Sequence, residues 1–253
     1  MIRTTVFFVL FVTSCLLNAQ TIVTDRPDQT ESSSTIALGS LQIEAGFLHQ
    51  LSDMDGFKEL HVLAPTTLFR YGVMNKVELR FGIQYESVRD RVFQKTFDGI
   101  SDLEVGAKVQ LFKKEDHKTQ IAFLTHLLLP TGPKQLTNDR LGSINKLAIS
   151  HALNKTVDIG YNIGYDYFGV GKGNFTYSLV FGVTVFENFG VYIEPYGEAV
   201  NLKTQVTSLD SGVTYLLQDN IQLDFSFGTG LNHDMDYFAV GCSINIARKH
   251  KED

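Results

Sequence analysis

Between Val77 and Glu86 the chain alternates without a slip. Val77, Leu79, Phe81, Ile83 and Tyr85 fall on one side; Glu78, Arg80, Gly82, Gln84 and Glu86 fall on the other. Period two sustained over about ten residues specifies a β-strand with one apolar and one polar face. Met74 and Asn75, just after Gly72, supply a tight turn into it from the preceding segment. Such a strand has two uses. It can bury its apolar face in a core, or turn that face to lipid and its charged face to a lumen.

Eleven further strand candidates follow the same plan. Ser40 to Leu51, Ile100 to Phe112, Val157 to Tyr167, Asn174 to Phe186, Asn220 to Gly230 and Met235 to Ile246 alternate clearly. Phe189 to Val200 and Gln205 to Leu217 complete the second half. Three are weak: Glu59 to Tyr71 is broken by Pro65, Thr119 to Leu129 is apolar on both faces, and Ser143 to Leu153 has little pattern. The connections alternate as well. One set is tight and contains Asn: Met74-Asn75, Asn154-Lys155, Glu187-Asn188 and Asp219-Asn220, with the charged Lys113 to Lys118 the longest of that set. The other set holds the long loops Val88 to Gly99, Pro130 to Gly142 and Phe168 to Gly173. Short turns at one end, longer loops at the other and an even strand number describe a bacterial outer-membrane barrel. The expected fold is therefore all-β: an antiparallel transmembrane β-barrel of 12 strands. A two-sheet sandwich with polar faces outward is the alternative.

Charge favours the barrel. Glu44, Glu78, Arg80, Glu86, Asp102, Glu104, Lys108, Asp158, Asp166 and Asp224 all lie opposite the apolar faces, and a packed core cannot hold so many charges without a heavy desolvation cost. Trp is absent, so the 19 Phe and 10 Tyr, including the row Tyr161, Tyr165 and Tyr167, must supply any interfacial girdles. The last strand ends on Ile-Asn-Ile rather than on an aromatic residue, a departure from many such barrels. The formal charge of −6 gives no case for nucleic acid. The expected partners are outer-membrane lipid and an unidentified small solute; the sequence assigns no oligomeric state.

Residues 1–19 read as a cleaved export signal. Arg3 gives a positive start, Val6 to Val12 is apolar, and Ala19 precedes the cleavage point. Lipidation at Cys15 is the alternative, because Val12, Thr13, Ser14 and Cys15 loosely match a lipidation box. Removal of the signal leaves Cys242 alone, and with it no internal disulfide. The expected location is the outer membrane of a Gram-negative bacterium. Residues 20–39 form a polar segment, residues 40–246 the barrel and residues 247–253 a charged tail. The polar segment reads either as a periplasmic tail or as a plug, the second because Asp25, Arg26, Asp28 and Glu31 suit a charged interior.

Two stretches resemble a known family. TDRPDQTES at Thr24 to Ser32 is followed by GSLQIEAGF at Gly39 to Phe47, and FRYGVMNKVELRFG runs from Phe69 to Gly82. Together they are similar to Gram-negative outer-membrane proteins named "transporter", or MetA-pathway of phenol degradation proteins. The resemblance covers most of the mature chain. It implies an outer-membrane barrel and uptake of small compounds, aromatic or hydrophobic ones included, and it carries no agreed functional residues.

The expected function is passive passage of small molecules through a lumen lined by the ten charged residues above. Glu78, Arg80, Glu104 and Lys108 read as a mutually neutralising ladder, which can brace the wall, set selectivity, or do both. The excess of Asp and Glu suggests a slight preference for cations or neutral compounds. A closed structural or surface-binding barrel is one alternative. A barrel hydrolase is the less favoured one: His126 and His151 have Ser143, Ser150 and Asn145 near in sequence, but no G-x-S-x-G elbow occurs. No enzyme activity, cofactor or metal is therefore expected. His49, His61, His117 and His233 lack ligand spacing, and Lys172 between Gly171 and Gly173 mimics a phosphate loop with no helix after it.

Overall fold

The computed structural model describes residues 21–54, 56–113 and 118–248. The signal residues 1–19 with Cys15, the end of the tail from residue 249, and His117 in the charged turn lie outside the described residues. Thirteen strands run in chain order: β1 Leu41–Met54, β2 Phe57–Met74, β3 Val77–Asp90, β4 Lys95–Ile100, β5 Leu103–Lys113, β6 Thr119–Leu129, β7 Gly142–Ala152, β8 Val157–Tyr167, β9 Asn174–Phe186, β10 Phe189–Val200, β11 Thr204–Gln218, β12 Ile221–Gly230 and β13 Asp234–Ile246. Sequence neighbours pair antiparallel except β4 and β5, which both pair with β3, and β13 closes on β1 from Leu41↔Ile246 to Asp53↔Asp234.

The closed wall has twelve staves, because β4 and β5 share one. The lower half of β3 pairs with β5 and its upper half with β4, and the stave is interrupted only at Ser101 and Asp102. Val88 to Gly99 is thus not a long loop, as its charge and polarity suggest. It is a hairpin extending β3, with its turn at residues 91–94. The first tight turn also sits one residue later than expected, at Asn75 and Lys76, where Lys76 takes a positive φ of 68°. In β2, Pro65 lacks the N–H needed for the ladder, so the pairing with β3 skips from Leu63 to Thr66.

Outward positions are largely apolar. Leu79, Phe81, Leu179, Phe225 and Phe238 are exposed on that face, with Tyr71 and Tyr215 toward the short-turn end and Tyr85 and Tyr165 toward the long-loop end. Buried positions are largely polar, so the interior is charged and the exterior greasy, the inverse of a water-soluble protein. The weak patterns of β6 and β7 have a local cause. Ala122 and Ala148 meet on the inner face as register partners. On the outer face, polar side chains satisfy one another: Thr125 donates to Asn145 at 2.9 Å, and His151 bonds to Thr119 and Tyr161.

Two outcomes check this architecture. With the short turns in the periplasm, protease added to intact cells is expected to nick after Arg91 and Lys134 and to spare Lys155; cleavage at Lys155 would reverse the orientation. Arg89, held in β3 opposite Thr96, should resist. Phe81→Arg puts a charge on the outer face and should cost about 2–4 kcal/mol of folding free energy in lipid vesicles near the midplane. Gly82→Arg enters the lumen beside Glu104 and should cost much less; equal penalties would undo the register.

Candidate functional site in the barrel lumen

Residues 21–40 contain no strand, yet their polar groups are met by the wall. Arg70 is the centre of that contact. It lies on β2, is 0% exposed, and its guanidinium forks onto Glu78 from Nε at 2.8 Å and Nη2 at 3.1 Å. Nη1 donates to Glu44 Oε1 at 2.8 Å and to the Val23 carbonyl at 3.1 Å, and Nη2 also donates to the Ser34 carbonyl at 3.1 Å. One side chain therefore ties two wall carboxylates to both ends of a twelve-residue stretch.

Arg80 and Lys108 hold the middle of that stretch. Arg80 donates to Asp25 Oδ2 at 2.5 Å and to Glu31 Oε2 at 2.8 Å. Lys108 Nζ lies 2.9 Å from both oxygens of Asp25 and 2.9 Å from the Ser32 carbonyl. The segment's backbone amides find wall acceptors in place of a β ladder: Asp25 N on Glu44, Gln29 N on Glu194, Glu31 N on Asn162 and Ile36 N on Glu78. Arg26 lies across β1 and β13 and pairs with Asp224 of β12 at 3.0 Å. Space for its guanidinium comes from Gly46 and Gly241, register partners on β1 and β13, where an added Cβ would lie 2.5 Å and 2.3 Å from it.

The ladder expected from sequence differs in its partners. Glu78 and Arg80 do meet, at 3.1 Å. Lys108 neutralises Asp25 and Glu31 of the segment instead of a wall carboxylate, and Glu104 bonds to His126 Nδ1 at 2.9 Å. His126 Nε2 accepts from Arg80 Nε at 2.7 Å. Arg has no acceptor, so this imidazole carries its proton on Nδ1 and donates it to Glu104. His126 points inward and His151 outward, so the two histidines singled out in the sequence do not share a site. Of the remaining charged positions, Glu44, Asp166 and Asp224 are buried, Glu86 bonds to His61 at 2.8 Å, and Asp158 is exposed near the short turns. Asp102 anchors the loop after β6 by accepting from Gly132 N and Thr137 Oγ1.

Sequence reasoning missed Arg70, Gln42, Glu194 and Asp210. Arg70 was legible through the hairpin: with a tight turn at residues 75–76, it falls opposite Arg80 and beside Glu78. Glu194 and Asp210 had no such signal, since the buried face of β10 and β11 also carries Tyr192 and small residues.

The segment is held differently on its two sides. Burial alone would raise the Asp25 carboxyl, but Arg70, Lys108 and Arg80 outweigh it and hold it well below its ordinary 3.8. Asp28 faces the other wall, and burial followed by the Glu194 carboxylate pushes it well above 3.8. On that wall Thr30 Oγ1 bonds to Ser178 and Glu194, and Asp210 accepts from Tyr237 at 2.5 Å. Cavities lie beside the segment, toward the long-loop end. One, of about 180 Å³, is lined by Arg80, Gly82, Asp102, Glu104 and His126. The other, of about 200 Å³, is lined by Lys146, Asp166, Thr176, Tyr196 and Glu198.

Residues 24–247 match the model of a family described as "Putative MetA-pathway of phenol degradation". A search of curated protein sequences finds no match. Among solved structures, the chain is similar to the COG4313 outer membrane channel from Pseudomonas putida F1, with a TM-score of 0.72 at 12% identity over 85% of this chain and 98% of that one. It is also similar to the KdgM porin, with a TM-score of 0.54 at 11% identity over 82% of this chain and 99% of that one. These likenesses agree on an outer-membrane-type barrel fold.

Replacing Arg70 tests its hold on the segment. Arg70→Met leaves buried carboxylates without their partner and should cost about 3–5 kcal/mol. A Glu-specific protease is then expected to cut after Glu31 in a barrel that is otherwise folded, whereas the parent resists. The pH dependence has two opposite parts. Asp25, lowered in the bound state, strengthens attachment above pH 3.8 and loses that contribution as pH falls through its bound-state value. Asp28, raised in the bound state, weakens attachment as pH climbs above 3.8. In the Arg70→Met background, Asp28→Asn should therefore reduce protease cutting at neutral pH; in the parent, Asp25→Asn should introduce it.

Proposed function

The chain belongs to this family, and from that membership and the charged lumen we propose that it is a passive outer-membrane channel for small molecules, with residues 21–40 acting as its plug. The observation that carries the reading is the set of contacts from Arg70, Arg80 and Lys108 to Val23, Asp25, Glu31, Ser32 and Ser34. A loose tail needs no such receptor. A removable stopper does, and it needs the polar groups of wall and segment to satisfy each other when the passage is shut. Glu44, Glu78, Arg80, Glu86, Asp102, Glu104, Lys108, Asp158, Asp166 and Asp224 serve as the lining, with Arg70 added to them. The cavities beside the segment suit single-ring solutes rather than polymers. The family's description points toward aromatic ones. The protein resides in the outer membrane of a Gram-negative bacterium after export and cleavage of residues 1–19. It is not an enzyme in this reading: both nitrogens of His126 are engaged by Arg80 and Glu104, and those of His151 by Thr119 and Tyr161 on the outer face.

A second reading has the same contacts seal the barrel permanently, and the complete burial of Arg70 favours it. Planar-bilayer recording separates the two. The full chain should conduct weakly, and deletion of Thr21 to Ser34 should raise conductance severalfold. That deletion leaves Arg70, Arg80 and Lys108 facing Glu44 and Glu78, so selectivity should move toward anions. No current and no solute flux into liposomes, with or without the deletion, would sink the channel reading and leave the sealed barrel.

A further inference from the structure

The two cavities differ in how their polar groups are used. In the smaller one the charges answer one another: Arg80 meets Glu31, and His126 meets Glu104. In the larger one, against β7 to β11, Asp166 Oδ1 and Thr176 Oγ1 have no hydrogen-bond partner among the described residues, and Lys146 Nζ makes no hydrogen bond or close ion pair, attracting Asp166 and Glu194 only through space. Asp166 is only 7% exposed, so its free oxygen is a buried acceptor rather than a solvated one. The grouping depends on Gly164 of β8. A Cβ there would lie 2.5 Å from Thr176 Oγ1 and 2.9 Å from Lys146 Cγ, so only glycine leaves room for both.

The charge balance restricts what can answer these groups. Lys146 shares the cavity with two carboxylates, Asp166 and Glu198, the latter already accepting from Asn174 at 2.6 Å, and also attracts Glu194. A bare anion meets two like charges, and a bare cation meets Lys146. A hydroxyl group fits both, since it donates through its proton and accepts through its lone pairs. Tyr196 adds a ring to the same cavity, and such faces pack against flat or C–H-rich surfaces. A volume of about 200 Å³ admits one ring and not a chain of them.

We infer that this cavity is a binding subsite for a neutral single-ring molecule bearing adjacent hydroxyl groups, one accepting from Lys146 Nζ and its neighbour donating to Asp166 Oδ1. Two sources share that chemistry, an aromatic diol and a cyclic sugar. The subsite lies on the solute route of the proposed channel, and that is where it rests on the preceding reading.

Calorimetric titration of the purified full chain in detergent tests it, with catechol and glucose as probes and phenol and benzoate as controls. At least one diol should bind, and which one does identifies the source. Phenol, lacking the second hydroxyl, and benzoate, carrying a charge, should bind at least about tenfold more weakly. Lys146→Gln and Asp166→Asn should each weaken the diol by about tenfold or more, while Lys155→Gln, in the exposed short turn between β7 and β8, should leave it unchanged. Thr176→Val serves if Asp166→Asn does not fold. Binding of neither diol, equal binding of phenol or benzoate, or affinity unmoved by the cavity substitutions would overturn the inference. The titration needs no open passage. A protein that binds but never conducts keeps the subsite and loses the channel, and one that conducts without binding does the reverse.

Discussion

The Arg70 guanidinium is the interaction on which the interior depends. A charge with no solvent exposure survives only when its donors are used and its charge is compensated. Here Glu44 and Glu78 supply the compensation, and the carbonyls of Val23 and Ser34 complete the hydrogen bonding. The wall and residues 21–40 are thus one electrostatic unit. Without the segment, three cations of β2, β3 and β5 crowd together. Without those cations, Asp25 and Glu31 are stranded in a low-dielectric lumen.

That unit is lopsided. One wall offers cations to the segment's carboxylates. The other offers Glu194, Asp210 and tyrosines to Asp28. Attachment is strong on the first side and conditional on the second, and Arg26, seated over Gly46 and Gly241 and paired with Asp224, fastens the segment to the staves between them. The same asymmetry distributes the empty space. Where cations and carboxylates neutralise each other, the cavity's charges are paired; beside β7 to β9, Lys146, Asp166 and Thr176 are left facing a space of their own.

Family membership and barrel geometry contribute different things. The family match spans nearly the whole described chain and fixes what kind of protein this is. The solved structures, at 11–12% identity, fix the fold and nothing finer. Solute choice therefore has to be argued from the lumen's own donors and acceptors, and those differ from one cavity to the next.

The sequence by itself determined the wall. Alternation in β3, β5, β8 and β12 set which side chains face outward, because period two leaves no freedom once one face must be apolar. The Asn-bearing turns set which end is short. Legibility failed where the physics is not periodic. β6 and β7 place Ala and Leu inward and self-bonded polar groups outward, so they look patternless, and the β3–β4 hairpin reads as a loop because both its faces are wet. Tertiary structure alone decided the site. Glu78, Arg80, Glu104 and Lys108 were recognisable as inward charges. Their partners were not, since Asp25 meets Lys108 across 83 positions of sequence and Arg26 meets Asp224 across 198. Charge pairing in a lumen is set by which staves face one another around a closed ring, and local sequence carries no record of that distance.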